Sequence, residues 1–208
     1  MKINDAKIQK ININKSSNIH STAIVQDGAQ IVGSCTIGKN SFVSAGSVID
    51  NSVIGEGVKI KCSYVENAII KNNVTIGPFA HIRPNSVVCE GVKIGNFVEI
   101  KNSNIGKNTK VSHLAYVGDA DVGKDCNIGC GAIFVNYDGK AKHRTVVEDE
   151  CFIGSNCNII APVKISKQTY ICAGTTLTKD TNPFDFVIGR TKETIKNNYS
   201  QKYFKGGK

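Results

Sequence analysis

Four histidines, His20, His81, His113 and His143, are the side chains best suited to move a proton near neutral pH, and neighbouring ones stand at least 30 residues apart. A catalytic zinc needs three protein ligands and an open position for an activated water, with two of the ligands close in sequence. No local pair of histidine ligands exists here, which argues against a zinc hydrase. His113 lies in SHLAYVGD, residues 112 to 119, which brings a histidine and a tyrosine onto one short side of the chain. Residues 134 to 145, FVNYDGKAKHRT, join a turn-rich centre (Asn136, Tyr137, Asp138, Gly139) to three bases and a histidine. Such a segment reads as a protruding loop, and its basic and aromatic content favours binding.

Two other motifs mislead. GDADVGK, residues 118 to 124, has the spacing of a phosphate-binding loop, but Asp125 follows it instead of Ser or Thr, and no buried strand and long helix flank it. Gly129 and Gly131 start no dinucleotide-binding fingerprint, because position 134 is Phe; both read as corner glycines.

The elements that must position these residues announce themselves by a repeat. Aliphatic side chains stand at Ile70, Ile76, Ile82, Val88, Ile94 and Ile100, an unbroken step of six, with Val74, Ala80, Ser86, Val92 and Val98 two places before the last five. The same register returns from Ile153 to Leu177 and from Val25 to Val43. A helix would scatter positions six apart around its circumference, and one long strand would leave the even positions between them unexplained. Short strands broken at regular corners satisfy the pattern, with Gly and Asn supplying the corner angles. The reading is a parallel β-helix, in which each coil buries its inward row by stacking on its neighbours. Six residues at roughly 3.3 Å each make a side of about 20 Å, and three sides make a triangular coil.

The repeat sets the organisation: a polar lead-in over 1–17, a β-helix over 18–180 with its loop at 134–145, and a C-terminal arm over 181–208 that Pro183 opens. The 208 residues carry 7% aromatics and no tryptophan, as suits a long, narrow core of Ile, Val and small residues. The formal charge of +9 points to an anionic partner. The lysines are spread along the chain, and no zinc finger, arginine-rich arm or RNP-like aromatic pair appears, so the expectation is a small phosphorylated ligand and no nucleic acid. Of eight cysteines, Cys35, Cys126, Cys151 and Cys157 occupy the small position two before an inward aliphatic, where a thiol acts as a small hydrophobe. With no C-x-x-C pair, no apolar signal region and no stretch of about 18 apolar residues, the chain reads as cytoplasmic, with reduced thiols and no membrane partner.

TIGPFAHIRP, GNFVEIKNSNIG, SHLAYVGDADVG, NIGCGAIFVNYDGKAKHRT, FIGSN, APV, ICAGTTLTKD and VIGR follow one another over roughly residues 18 to 190. In order and spacing they resemble the acetyltransferase domain of the bacterial bifunctional N-acetylglucosamine-1-phosphate uridyltransferase / glucosamine-1-phosphate acetyltransferase. The resemblance implies an all-β fold, a left-handed parallel β-helix, and a homotrimer with its sites between subunits. It also implies the substrates, a sugar phosphate and acetyl-CoA, with no metal needed for acetyl transfer. The family's uridyltransferase domain has no counterpart in these residues, and uridylyl transfer is not expected. Carried over by motif, Arg83 of HIRP, Lys101 of EIK, Tyr116 of HLAY, Asn127 of CNIG and Lys142 of the loop would surround the sugar phosphate. His113 would be the catalytic base. Cys130, Asn136, Tyr137, Ser155, Ala173 and Arg190 would serve acetyl-CoA. Cys130 and Cys172 stand where the family usually has alanine, and the C-terminal arm is unlike the family's.

The chemistry suits these residue types. A sugar amine attacks a thioester only when uncharged, and it loses a proton as the bond forms; an imidazole can take that proton near neutrality. Glu99 is a candidate for the carboxylate that orients His113. Arg83 and Lys101 would answer the phosphate charge, and a backbone N–H near Cys130 would stabilise the tetrahedral oxyanion. Two further readings stay open on the sequence: an acyltransferase acting on another amino sugar or nucleotide sugar, and a silent β-helix serving as an assembly subunit.

Overall fold

The computed structural model describes residues 12–204. Most of the polar lead-in, including any helix in it, lies outside the described residues. From Asn12 the chain winds through three parallel sheets of ten, nine and ten strands, each strand pairing with the one three places further along the chain except the last pair, which is two places apart. The first face runs from the strand Asn12–Ile13 to Thr176–Leu177, the second from Asn18–Ile19 to Val163–Ile165, and the third from Ile24–Val25 to Phe186–Val187. This is the triangular coil that the six-residue step predicts.

Its core follows from the register. On the first face Ile82 lies beside Ile100 and Ile100 beside Val117; on the second Ile70 lies beside Val88; on the third Ile76 lies beside Ile94. All of these side chains are buried, so the axis is filled by three aliphatic columns. Each fully buried Ile contributes about 1.5–3 kcal/mol relative to exposure. The small residues two places earlier sit just inside the bends, where hydroxyls also satisfy turn carbonyls: Ser103 Oγ donates to the Lys101 carbonyl at 2.8 Å and Thr109 Oγ1 to that of Gly123 at 2.7 Å. Cys35, Cys126, Cys151 and Cys157 are buried among them, as the spacing predicts, and all eight cysteines are free.

The corners carry the left-handed backbone. Where the first face turns into the second, Asn85, Asn102 and Asp119 have φ of 61°, 47° and 50°, and short polar side chains tolerate that region best. Where the third face turns into the first, bulky residues take it instead: Phe79, Phe97 and Leu114, with φ of 59°, 55° and 46°.

Three boundaries differ from the sequence reading. Asn12–Ile13 pairs with Gln30 and Ile31, so the coil begins inside the expected 1–17 lead-in. Pro183 does not end the repeat; it sits in a corner, after which Phe186–Val187 pairs with Tyr170–Ile171, beyond the expected end at 180. Phe134 faces inward and is fully buried between the strands of adjacent coils, so the excursion is confined to 136–144. Phe134→Ala should therefore lower the unfolding free energy by about 3–5 kcal/mol, read from denaturant melts; a loss below about 1 kcal/mol would contradict its place in the core.

Candidate active site

Outward side chains alternate with the core row, so residues one coil apart stand side by side on the surface. On the first face this sets Arg83 next to Lys101. The adjoining corner closes a cavity of about 340 Å³ around Arg83, Asn85, Lys101, Asn102, Asp119 and Lys142. Arg83 Nη1 is 2.8 Å from Glu99 Oε1, a half-exposed pair whose hydrogen bond raises the arginine's pKa. Lys101 Nζ is 3.1 Å from Asp119 Oδ2, and here both side chains are largely buried.

Asp119 is the node of this corner. Asn102 Nδ2 donates to its Oδ1 at 2.5 Å, and Asn136 Nδ2 donates to its Oδ2 and also approaches the Tyr116 hydroxyl at 3.3 Å. Burial works to raise the Asp119 pKa, but the hydrogen bonds from Asn102, Lys101 and Asn136 outweigh it and hold the carboxyl below its ordinary value. Burial likewise disfavours the charge on Lys101, yet the Asp119 carboxylate beside it leaves its pKa raised. Lys142 lines the same cavity, and the neighbouring Lys101 cation pushes its pKa below the ordinary lysine value. Gly118 makes room for the arrangement, since a Cβ there would overlap the ring and hydroxyl of Tyr116.

His113 lies elsewhere on the coil. It ends the third-face strand Lys110–His113, beside a groove of about 390 Å³ lined by Gly77, Lys93, Gly95 and Ser112. Its Nδ1 is 2.6 Å from Asn96 Oδ1. Within one chain Glu99 does not meet His113: it belongs to the first face and binds Arg83, whereas the neighbour of His113 is an amide one coil away. Asn127 also points out from the third face, between Lys110 and Phe152, and not into the cavity with Arg83 and Lys101.

The residues expected to serve acetyl-CoA divide. Cys130, Ser155 and Ala173 occupy the same corner in successive coils, linked by Asn156 N–H to the Cys130 carbonyl and Gly174 N–H to that of Ser155, each at 2.8 Å. Arg190 Nη1 donates to the Ala173 carbonyl at 3.1 Å, which brings it to the end of that row. Asn136 lies apart from that row, against Asp119 and Tyr116. The loop folds back on itself through a Tyr137–Lys142 bridge, which leaves Asn136 buried at its root. Tyr137 is exposed, its hydroxyl bonded to the Gly139 carbonyl. Asp138 caps the loop by accepting from the Lys140 and Ala141 N–H groups and lies 2.7 Å from His143 Nε2; the Ala141 N–H, His143 and the Lys140 N–H, in that order, hold its pKa well below the usual carboxylate range. Sequence reasoning missed Asp119, Asn102 and Asn96. The signal for Asp119 was a corner column that reads Asn67, Asn85, Asn102 and then Asp. Among the described residues no cluster of three His, Cys, Asp or Glu side chains is placed to hold a metal, and no helix is long and apolar enough to cross a membrane.

Because the native fold keeps Asp119 ionised below the ordinary carboxylate range, its stabilisation is fully present above about pH 4 and is lost as pH falls through the depressed pKa. Asp119→Asn should cost about 1–3 kcal/mol at neutral pH by leaving Lys101 without its counter-ion. The gap to the parent should close only below about pH 4, as followed by denaturant midpoints across pH; a gap that closes between pH 5 and 7 would contradict the assignment.

The chain matches the family model of the GMPPB C-terminal domain over residues 13–94 and 64–136, and that of the hexapeptide repeat of succinyl-transferase over 144–179. It is 51% identical over 184 residues to the bifunctional protein GlmU of Caldicellulosiruptor saccharolyticus, an alignment covering 88% of this chain and 40% of that protein. With GlmU of Shouchella clausii the identity is 43% over 190 residues, covering 91% and 42%. The chain therefore spans about two fifths of the length of these relatives. Among solved structures, Arabidopsis UDP-N-acetylglucosamine acyltransferase superposes with a TM-score of 0.56 at 18% identity, covering 82% of this chain and 69% of that one, a likeness of fold, the left-handed parallel β-helix. The chain belongs to the family of the GMPPB C-terminal domain, a hexapeptide-repeat fold, and its β-helix is similar to the acetyltransferase region of the bifunctional GlmU proteins.

Proposed function

We propose that this chain transfers the acetyl group of acetyl-CoA to the amine of glucosamine 1-phosphate. The observation that carries the reading is the pair of ammonium groups, Lys101 and Lys142, set against each other with Arg83 on the wall of one cavity. Two adjacent cations are relieved by a multiply charged anion, and a sugar phosphate supplies one together with hydroxyls for Asn102 and Asn136 to meet. The GlmU relatives support the choice of this sugar phosphate and donor among acyl transfers.

In this reaction His113 takes a proton from the substrate nitrogen as the nitrogen attacks the thioester carbonyl. The C–N bond forms, the C–S bond breaks, and the departing CoA sulfur receives the proton from the imidazolium. The row of Cys130, Ser155 and Ala173 carries the donor, with the Cys130 N–H toward the developing oxyanion and Arg190 at the far end. Tyr137 and the loop close over the thioester.

The site is completed in a homotrimer. Within one chain His113 ends the third face with Asn127 on that same face, while Asp119 lies at the far corner of the first face, one side of the coil or about 20 Å away. A second copy that sets its third face against the first face of its neighbour brings His113 and Asn127 to Arg83 and Lys101. A ridge on that corner supports this arrangement: Phe79, Phe97 and Leu114 are 58%, 56% and 54% exposed, and the two Phe rings stack at 5.5 Å. Bulky residues held outward in a left-handed backbone are uncommon, and such an apolar strip calls for a cover.

Incubation with glucosamine 1-phosphate and acetyl-CoA should release free thiol, and His113→Ala should slow release roughly 10²-fold or more; an unchanged rate would refute the mechanism. Release with a nucleotide amino sugar in place of glucosamine 1-phosphate would name a different acceptor. For the shared site, His113→Ala chains refolded together with Lys101→Ala chains should regain activity that neither shows alone. Activity absent from the mixture, with mixed trimers verified by mass, would place the site within one chain.

A further inference from the structure

We infer that Asn96 is the positioning residue for His113: its amide oxygen accepts the Nδ1 proton, so that the imidazole presents its lone pair at Nε2. This deepens the proposed acetyl transfer and rests on His113 being its base. The argument starts from the backbone. Every other strand of the third face spans two residues, whereas Lys93–Asn96 and Lys110–His113 span four. The extra length carries the parallel register as far as Asn96 beside His113, at the very edge of the corner. There the Leu114 N–H donates to the Asn96 carbonyl at 2.9 Å, and the chain turns away through the left-handed Leu114.

Gly95 allows this extension. A Cβ at position 95 would run into the Ser112 carbonyl oxygen, so the two strands can stay in contact past Ile94 only with glycine there. The sequence thus gives up a side chain at one position to bring a specific pair together at the next. The pair is tight, 2.6 Å from His113 Nδ1 to Asn96 Oδ1, with Asn96 half-buried and the histidine exposed beside the groove. A neutral imidazole offers one donor and one acceptor, and a fixed acceptor at Nδ1 decides which nitrogen is which. An amide does so without placing a negative charge beside the ring, and its rigid seat on the neighbouring coil also fixes the ring plane. Within the same chain Glu99, the carboxylate that the sequence offered for this task, is engaged with Arg83 on a different face.

The test is the tautomer of His113, read by ¹⁵N-histidine NMR of the full chain, with the His113 signals identified by their loss in His113→Gln. The neutral ring should carry its proton on Nδ1. In Asn96→Leu the Nε2-protonated form should appear, and kcat should fall roughly 10²-fold or more while KM for both substrates stays within about twofold. Asn96→Asp, which keeps an oxygen acceptor, should restore the Nδ1-protonated form and most of kcat, a rescue that packing alone would not explain. Nε2 protonation in the parent protein overturns the inference, and that spectrum decides even if Asn96→Leu fails to fold. An Asn96→Leu protein with unchanged tautomer and kcat overturns it too. A tautomer that depends on Asn96 in a protein that does not acetylate glucosamine 1-phosphate would instead sink the proposed reaction and leave the positioning role standing.

Discussion

The constraint on which everything else depends is the one-coil parallel register. Each residue lies beside its counterpart in the next coil at the spacing of hydrogen-bonded strands, about 4.8 Å. Residues 16 to 18 apart, or 25 across the loop, therefore become neighbours, and what the sequence repeats the structure sums into columns. The core is three such columns of aliphatics. The outer surface obeys the same rule, so Arg83 meets Lys101, Asn85 leads to Asn102 and Asp119, Asn96 meets His113, and Cys130 leads to Ser155 and Ala173. A site assembled this way inherits the rigidity of the core behind it, because any outward side chain is flanked in sequence by inward ones that cannot move.

Columns also set an electrostatic problem, since stacking like on like would collect charge. On the first face the sequence interleaves it: Glu66 with His81, Arg83 with Glu99, Lys101 with Asp119. Lys142 enters from outside this lattice, on the loop, and brings the extra positive charge to the cavity. The +9 of the chain is thus not a uniform field; its chemically pointed part is a cation delivered next to one that is already neutralised. Moving Lys142 away restores the balance of the resting surface, so the loop and the anion are natural partners.

The repeat made the fold legible, because burial at Ile70 through Ile100 is a property of the period and needs no tertiary information. The thiols at Cys126, Cys151 and Cys157 were legible for the same reason. Outward residues were harder, because alternation says that a side chain faces out but not which neighbour it chooses. Glu99 could serve Arg83 or His113 on that rule, and within one chain the turn that sends His113 to another face leaves it with Arg83. Asp119 was hidden inside GDADVGK, a segment whose resemblance to a phosphate loop drew attention to its lysine and away from its first acid. Asn96 was hidden because its role depends on Gly95, a residue whose contribution is the absence of a side chain. Phe134, placed in the loop by its position next to NYDG, shows the converse: an aromatic can belong to the core when it falls on the inward beat.

The loop at 136–144 leaves and rejoins the coil without disturbing that beat. Val135 still pairs with Ile160, and Thr145 pairs with Ala120 on one side and Val163 on the other. The excursion is phase-neutral: downstream columns keep their alignment whatever its length. Such a segment can be shortened, lengthened or exchanged in evolution without renegotiating a single core contact, while the strands on which it rests cannot accept one inserted residue. The loop can therefore drift while His113 and its amide partner stay locked to the lattice.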